Sequence, residues 1–219
     1  MLRVSDLTLS YGQEPVLEGA GLAIEPGQFV SLVGPSGSGK SSLLRAIMGL
    51  QKPSAGTVET DLERHELGIL FQDDALLPWR TARENVALGL GFRGTDRRRA
   101  IRESDAWLGR LGLAGLGDRY PRQLSGGQRK RVALAQVLAL RPRLVLMDEP
   151  FASLDAIVRA RVTQDVVDLV EREHIGVLLV THDLEEALAL SDVVYLLSQG
   201  PRRMSRSATR SRFLGRGSS

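Results

Sequence analysis

The sequence lacks cysteine and lacks any long apolar run, and each absence excludes a class of protein. Without cysteine, neither a disulfide nor a thiolate metal site can form, which fits a reducing cytosol. No run reaches the roughly 18 uninterrupted apolar residues that a transmembrane helix needs. Residues 1–6 lack the apolar core of a signal peptide. The 219 residues are 42% hydrophobic, which is enough for a substantial core in one large domain or two small ones.

Positive charge is concentrated at the C-terminal end of the chain. Residues 201–219 contain six arginines and no acidic residue. Removing these six charges from the overall net charge of +3 leaves −3 for residues 1–200. We interpret residues 201–219 as a basic, solvated and disordered tail. The alternative is a segment attracted to anionic lipid headgroups or to an acidic partner surface.

A glycine-rich stretch between a predicted strand at 29–33 and a predicted helix from Ser42 has the spacing G-x-x-x-x-G-K-S. Its glycines allow several backbone N–H groups to point at one anion, and the helix start adds unpaired donors. Lys40 would reach the β- and γ-phosphates of a nucleoside triphosphate, and the Ser41 hydroxyl would ligate Mg²⁺. The alternative is a flexible turn without a ligand. The predicted contacts are Gly34, Pro35, Ser36, Gly37, Ser38, Gly39, Lys40, Ser41 and Ser42.

Two acidic residues follow a predicted buried strand at 144–147. Ligands of open α/β sheets bind at the carboxyl ends of the strands. Asp148 suits a contact to Mg²⁺, through water, and Glu149 suits polarisation of an attacking water. Such a pair taken alone is often a helix N-cap, but the phosphate loop upstream favours a catalytic interpretation.

A second glycine-rich helix start lies at Leu124–Gln128, where a hydroxyl and two glycines precede a predicted helix. The backbone N–H groups of such a helix start can receive an anion. The phosphate loop already accounts for the triphosphate of its own subunit. We therefore expect Ser125, Gly126, Gly127 and Gln128 to face the nucleotide of another subunit.

The order of predicted elements indicates the fold class. Strands that alternate with helices favour a mostly parallel sheet with crossover connections. A β-rich segment precedes the phosphate loop, and a helical segment interrupts the alternation. The expected organisation is one α/β domain at 1–200, with a β-rich and nucleotide-binding core at 1–71 and 141–200. A helical subdomain is expected at about 72–140.

Six motifs in this order resemble the ATP-binding subunit of an ABC (ATP-binding cassette) transporter over residues 1–200. They are the phosphate loop 34–41, Gln72, Leu124–Gln128, Asp148-Glu149, Ser153-Leu154-Asp155 and Thr181-His182-Asp183. The resemblance implies the P-loop NTPase fold of such cassettes, with an N-terminal antiparallel β subdomain. It also implies ATP and Mg²⁺ as cofactors, and ATP hydrolysis coupled to transmembrane transport.

The resemblance implies roles for further residues at the subunit's own nucleotide. Tyr11 would stack on the adenine ring, and the alternative is an ordinary aromatic residue at a strand edge. Gln72 would lie near Mg²⁺ and the attacking water. His182 would contact the γ-phosphate and hold Glu149 and the water in place. The expected catalytic residues are Glu149, His182 and Gln72, and the expected metal contacts are Ser41, Gln72 and Asp148.

Other residues are expected, from the resemblance, to act on the nucleotide of a second cassette. Ser125 and Gly127 would hold the γ-phosphate that is bound to the opposite subunit. Asp155 would contact the facing phosphate loop. ATP would then join two cassettes head to tail, as a homodimer in the simplest case, and hydrolysis would release them.

Within the family, residues 71–86 resemble bacterial importers of the nitrate, sulfonate and taurine type. The resemblance implies permease subunits that dock around Gln72–Trp79, an indirect link to a periplasmic binding protein, and a location at the cytoplasmic face of the inner membrane. Leu76–Trp79 would be an exposed apolar seat, or alternatively part of the helical core. Two other functions compete. They are a cassette ATPase that acts on DNA or ribosomes, and the ATPase of an exporter. We expect no nucleic-acid partner.

Overall fold

A computed structural model of the chain describes residues 1–12, 14–152, 154, 156–198 and 204–208, but not the side chains of Tyr11 and 204–208. The strands are β1 (Leu2–Tyr11), β2 (Glu14–Ile24), β3 (Phe29–Val33), β4 (Ala55–Thr60), β5 (Leu67–Leu70), β6 (Leu144–Asp148), β7 (Gly176–Thr181), β8 (Val193–Leu197) and β9 (Met204–Ala208). The α-helices are α1 (Lys40–Ile47), α2 (Ala82–Phe92), α3 (Arg97–Arg110), α4 (Gly126–Leu138), α5 (Ala156–Arg172) and α6 (Leu184–Leu190).

The chain divides into two compact units. The first unit contains Met1–Leu67, Arg143–Glu149 and Glu173–Ser219, and the second contains Gly68–Pro142 and Pro150–Arg172. The helical subdomain was expected at about 72–140, so the second unit differs by including α5. The reason is that α5 packs against α4, and the sequence of α5 alone does not indicate which helix it contacts.

An antiparallel sheet opens the first unit, with the strand order β2-β1-β4. In β1 the buried side chains alternate at Leu2 and Val4 and then at Leu7 and Leu9. The alternation changes from even to odd positions at Asp6, which has a φ of 47° and lies at a register shift. One extra residue of this kind keeps both halves of a strand facing the same core.

The second sheet of the first unit has the strand order β6-β7-β3-β8-β9. The strand pairs β6–β7, β7–β3 and β3–β8 are parallel, and β3 and β7 are buried along their whole length. Continuous apolar runs are typical of parallel strands that are covered on both faces. Because parallel strands end at one edge, the residues that follow β3, β6 and β7 lie at the same edge of the sheet. This edge carries the phosphate loop, Glu149 and His182.

Strand β9 corrects the expectation for the C-terminal tail. We expected residues 201–219 to be disordered, but Met204–Ala208 pairs antiparallel with β8. The physical reason is that β8 would otherwise present an unpaired edge, which is a template for another strand. The rest of the tail lies outside the described residues.

Helices α2 and α3 of the second unit begin at side-chain caps. The Thr81 hydroxyl accepts from the Glu84 N–H, and the Glu84 carboxylate accepts from the Thr81 N–H at 2.9 Å. This reciprocal arrangement is a capping box, and it satisfies two backbone donors at the start of α2. At α3 the Asp96 carboxylate accepts from the Arg99 N–H at 3.1 Å, without a reciprocal bond. Among the helices that the structure describes, none has the length and apolar character needed to cross a membrane.

Candidate nucleotide site

The loop between β3 and α1 has a backbone that requires glycine. Gly37 and Gly39 have φ values of 78° and 93°, which lie in the left-handed region. A Cβ atom on Gly39 would also lie 2.9 Å from the Val16 carbonyl oxygen. The structure therefore places Gly34–Gly39 in one tight turn and Lys40, Ser41 and Ser42 in the first turn of α1.

Lys40 extends back into this loop rather than into solvent. Its Nζ donates to the carbonyl oxygens of Gly34 at 2.6 Å and Pro35 at 2.9 Å, and the residue is 5% exposed. Burial lowers the pKa of Lys40, while the nearby carboxylates of Glu149 and Asp148 oppose that shift. The ammonium is therefore held inside the loop, where a phosphate chain would need a positive charge.

Ser38 supplies an observation that fits a phosphate ligand. Its Oγ is buried and, within the described part of the chain, has no hydrogen-bond partner. A Cβ atom on Gly34 would lie 3.0 Å from this oxygen, so the hydroxyl lies over the start of the loop. Buried hydroxyls are rarely unpaired, and such a group calls for an explanation. A phosphate oxygen bound in the loop would accept its hydrogen bond.

Glu149 and His182, both predicted to be catalytic, are in contact. The Glu149 Oε2 lies 2.8 Å from the His182 Nδ1, and its Oε1 lies 3.9 Å from the Lys40 Nζ. The backbone of Glu149 has a φ of 44°, and its N–H donates to the Val180 carbonyl. A left-handed conformation in a non-glycine residue costs energy and occurs often at functional sites. Here it follows the end of β6 and accompanies the contact between the carboxylate and the imidazole.

The groups expected to hold Mg²⁺ are Ser41, at the N-terminus of α1, and Asp148, at the end of β6. Among the residues that the structure describes, no three His, Cys, Asp or Glu side chains form a metal cluster. Mg²⁺ keeps several waters and uses only one or two protein carboxylates together with substrate phosphates. One hydroxyl and one carboxylate therefore fit this ion.

The glycine-rich motif of the second unit forms the start of α4. The Ser125 Oγ accepts from the Gln128 N–H at 3.3 Å, and the Gln128 Oε1 accepts from the Ser125 N–H at 2.9 Å. Gln128, which we expected to contact a nucleotide, thus has its side-chain oxygen engaged in a capping box. A Cβ atom on Gly127 would overlap the Val158 side chain, so this glycine allows α4 and α5 to pack closely.

Gln72 lies on a segment that is bound to α4 by Lys130, a residue that was not predicted from the sequence. The Lys130 Nζ donates to the Gln72 carbonyl oxygen at 2.8 Å and pairs with the Asp74 carboxylate at 2.9 Å. The signal for Lys130 was available, because it is three residues after Gly127 and four before Leu134 on the buried face of α4.

The predicted site residues fall into two groups. Gly34–Ser42, Asp148, Glu149 and His182 belong to the first unit, whereas Gln72 and Ser125–Gln128 belong to the second. The Tyr11 side chain, Ser153 and Asp155 lie outside the described residues.

Comparison of the sequence with known families and proteins gives consistent matches. The family model described as ABC transporter matches residues 17–152. The nitrate import ATP-binding protein of Synechocystis is 39% identical over 217 residues, which cover 95% of this chain and 82% of that protein. An aliphatic sulfonates import ATP-binding protein of Rhodococcus jostii is 45% identical over 199 residues, covering 91% and 79%. The taurine import ATP-binding protein of Escherichia coli O157:H7 is 41% identical over 209 residues, covering 93% and 82%.

Solved structures agree with these sequence matches. A dimeric ATP-binding cassette in a post-hydrolysis state with ADP and Pi has a TM-score of 0.82 and 32% identity, covering 96% of this chain and 99% of that one. A component of an ABC transporter complex from Clostridium perfringens has a TM-score of 0.86 and 27% identity, covering 95% and 88%. The expected fold class is confirmed by these neighbours and by the sheets described above.

Proposed function

Because this chain belongs to the ABC transporter family, we propose that it binds and hydrolyses ATP as the nucleotide-binding subunit of a solute importer. The observation that carries the proposal is the meeting of Lys40, Glu149 and His182 at one edge of the parallel sheet. Relatives at 39%, 41% and 45% identity are named as importers of nitrate, taurine and aliphatic sulfonates. We infer a small solute of this kind for the importer that this chain would power.

The side chains of the site suit hydrolysis of the terminal phosphoryl group. The loop N–H groups and Lys40 would hold the phosphates, and the Ser38 hydroxyl would donate to one phosphate oxygen. The Glu149 carboxylate would accept the proton of the attacking water, and His182 would hold that carboxylate in place. A Mg²⁺ ion, held by Ser41 and Asp148 and approached by Gln72, would supply positive charge to the phosphates when bound.

ATP-driven pairing of two copies would complete each site. The dimeric cassette that resembles this chain over 96% of its length supports pairing. In this proposal Ser125, Gly126 and Gly127 would present the N-terminus of α4 to the triphosphate of the second copy. Asp155 would contact the facing phosphate loop, and Tyr11 would stack on the adenine of its own subunit.

Replacing Ser125 with aspartate tests this pairing. Aspartate is a good helix cap and favours the positive end of the helix dipole, so α4 is expected to fold as in the parent. The same carboxylate would repel a triphosphate brought to this helix start. We expect Ser125→Asp to weaken ATP-dependent doubling of the solution mass by at least about tenfold, which is a coupling of ~1.4 kcal/mol. Light scattering with Mg²⁺ and ATP measures the doubling.

The matched control is Ser125→Asn, which keeps a capping oxygen without the charge. Both variants are expected to have the Tm of the parent, so a difference in pairing between them isolates the charge. If Ser125→Asp doubled its mass at the ATP concentration that suffices for Ser125→Asn, the proposed position of the triphosphate would be wrong.

The second unit carries an apolar surface that suits the permease subunits of an importer. Trp79 is 70% exposed. The helices that follow it, α2 and α3, form a groove of 570 Å³ whose apolar lining includes Leu88, Phe92 and Ile101. Arg80, Glu84 and Arg97 add charged groups to the same groove. An amphipathic helix with apolar anchors and a polar rim fits such a surface. We infer attachment to a permease at the cytoplasmic face of the cell membrane, with a periplasmic binding protein as an indirect partner.

Replacing both Leu77 and Trp79 with alanine is expected to spare the ATPase activity of the isolated chain but to weaken permease attachment. The reason is that the exposed Trp79 and the half-buried Leu77 would contribute binding free energy without supporting the nucleotide site. Co-purification with the permease measures the loss, which we expect to be at least about tenfold. Leu50→Ala removes an exposed leucine of the first unit as the control. Undiminished recovery of the double variant with the permease would refute this docking surface.

A further inference from the structure

Lys130 is the most deeply buried cation of the second unit that the structure describes. It is 1% exposed, and its Nζ contacts the Asp74 carboxylate at 2.9 Å, the Gln72 carbonyl at 2.8 Å and the Phe71 carbonyl at 3.4 Å. All three acceptors come from one segment of four residues. We call Phe71–Asp74 together with Lys130 and Arg129 the clamp.

Both oxygens of Asp74 are occupied within the clamp. Its Oδ1 pairs with Lys130, and its Oδ2 lies 3.2 Å from the Arg129 Nε. Arg129 also donates to the Leu124 carbonyl at 2.9 Å, which ties the clamp to the residue before Ser125. A buried ammonium is tolerated only while its partners stay in place, so opening the clamp is costly. Phe71–Asp74 should therefore move together with the first turns of α4.

The two ends of the clamp lie beside the two surfaces that the proposed function uses. Lys130 follows Ser125 by five residues on α4, a rise of about 7.5 Å along the helix. Asp74 precedes Ala75, which has a φ of 51°, and then the exposed Trp79. A packed element with a costly alternative arrangement is the physical requirement for transmitting a change between two sites.

We propose that the clamp is a positioning element that couples the glycine-rich helix start at Ser125 to the docking segment Leu76–Trp79. This inference rests on the proposed function, in which Ser125 meets a nucleotide and Trp79 meets a permease. Lys130 and Asp74 touch neither ligand and act through α4 and Gln72. Engagement of Ser125 by ATP then shifts the environment of Trp79, and docking at Trp79 shifts the position of Ser125 by the same coupling free energy.

Trp79 is itself the reporter for a test without the permease. The sequence has two tryptophans, and Trp107 is buried, so Trp107→Phe leaves Trp79 as the single indole. In a Trp107→Phe, Glu149→Gln background, Mg²⁺ and ATP are expected to double the mass and to shift the Trp79 emission. Adding Lys130→Met should preserve the doubling and reduce the emission shift on the order of fivefold. Arg99→Met, which removes an exposed ion pair from α3, is the control and should leave the shift unchanged.

Asp74→Asn is the second variant, because loss of the lysine could prevent folding. It keeps a similar shape, removes the charge that pairs with Lys130 and should also reduce the emission shift. An undiminished shift in a folded, paired Lys130→Met or Asp74→Asn variant overturns the inference. The inference is also overturned if the mass of the background doubles without a change in Trp79 emission. It is overturned as well if both variants fold but neither pairs. Failure of the background itself to double contradicts the proposed function instead.

Discussion

Replacing Glu149 with glutamine is expected to lower the ATP turnover rate on the order of 10³-fold while leaving ATP binding intact. The amide has the shape of the carboxylate and can still accept from His182, but it cannot take a proton from water. The Glu149 carboxylate lies 2.8 Å from His182 and 3.9 Å from Lys40, the residues proposed to contact the phosphates. Steady-state phosphate release measures the loss, and equilibrium ATP binding measures what is retained.

The same variant is expected to accumulate as an ATP-bound dimer, because the step that separates the two copies would be blocked. Light scattering should show a doubled mass that persists with Mg²⁺ and ATP but not with ADP. Glu185→Gln removes an exposed carboxylate from α6 of the same unit and is the matched control. A Glu149→Gln variant that hydrolyses ATP at the parental rate would rule out the proposed role of Glu149.

The elements that the sequence predicted best are those with strong local signals. The strand Phe29–Val33 has the predicted bounds, and α4 begins within the predicted glycine-rich helix start, Leu124–Gln128. Each is a short apolar run or a capping motif whose geometry depends on neighbours in the sequence. Local patterns of this kind specify the backbone before any tertiary contact forms.

Elements that depend on distant partners were predicted less well. Strand β9 has few apolar residues, and it pairs because β8 offers an open edge. Helix α5 has an ordinary amphipathic pattern, and its grouping with the second unit depends on packing against α4. A period of apolar residues identifies a buried face but does not identify what covers that face.

The candidate site shows the same division. The order of the motifs predicted Glu149 and His182 as catalytic residues, and the parallel sheet explains why residues so far apart in sequence meet. The left-handed backbone of Glu149 had no sequence signal, because glutamate rarely adopts it. Lys130 was missed because a charged residue within a helix is ordinarily interpreted as solvent-facing. Its helical spacing from Gly127 and Leu134 indicates the buried face of α4, and the structure adds its partners, the Asp74 carboxylate and the Gln72 carbonyl.

Replacing Lys40 with methionine is expected to raise the Kd for ATP at least about 100-fold. Methionine keeps the length and apolar stem of the side chain, but it supplies neither the charge nor the three donors that a phosphate chain uses. The readout is ligand-induced stabilisation against unfolding. An ATP concentration of 100 times the parental Kd should stabilise the parent by about 2.7 kcal/mol and the variant by about 0.4 kcal/mol.

Two further observations separate loss of binding from loss of folding. Lys40→Met leaves the carbonyl oxygens of Gly34 and Pro35 without their donor, so the unliganded variant should lose about 1–3 kcal/mol of stability. Lys52→Met removes an exposed lysine of the same unit and should change neither quantity.

The pH dependence of ATP binding tests whether the charge of Lys40 is what the phosphates require. Burial lowers the pKa of Lys40 below the ordinary value of 10.5. The ammonium therefore loses its proton at a lower pH than an exposed lysine does. The parent should consequently lose ATP affinity as the pH rises toward that lowered pKa, whereas Lys40→Met should show no such fall because it has no proton to lose. A parallel fall in both proteins would mean that another group carries the positive charge that the phosphates require.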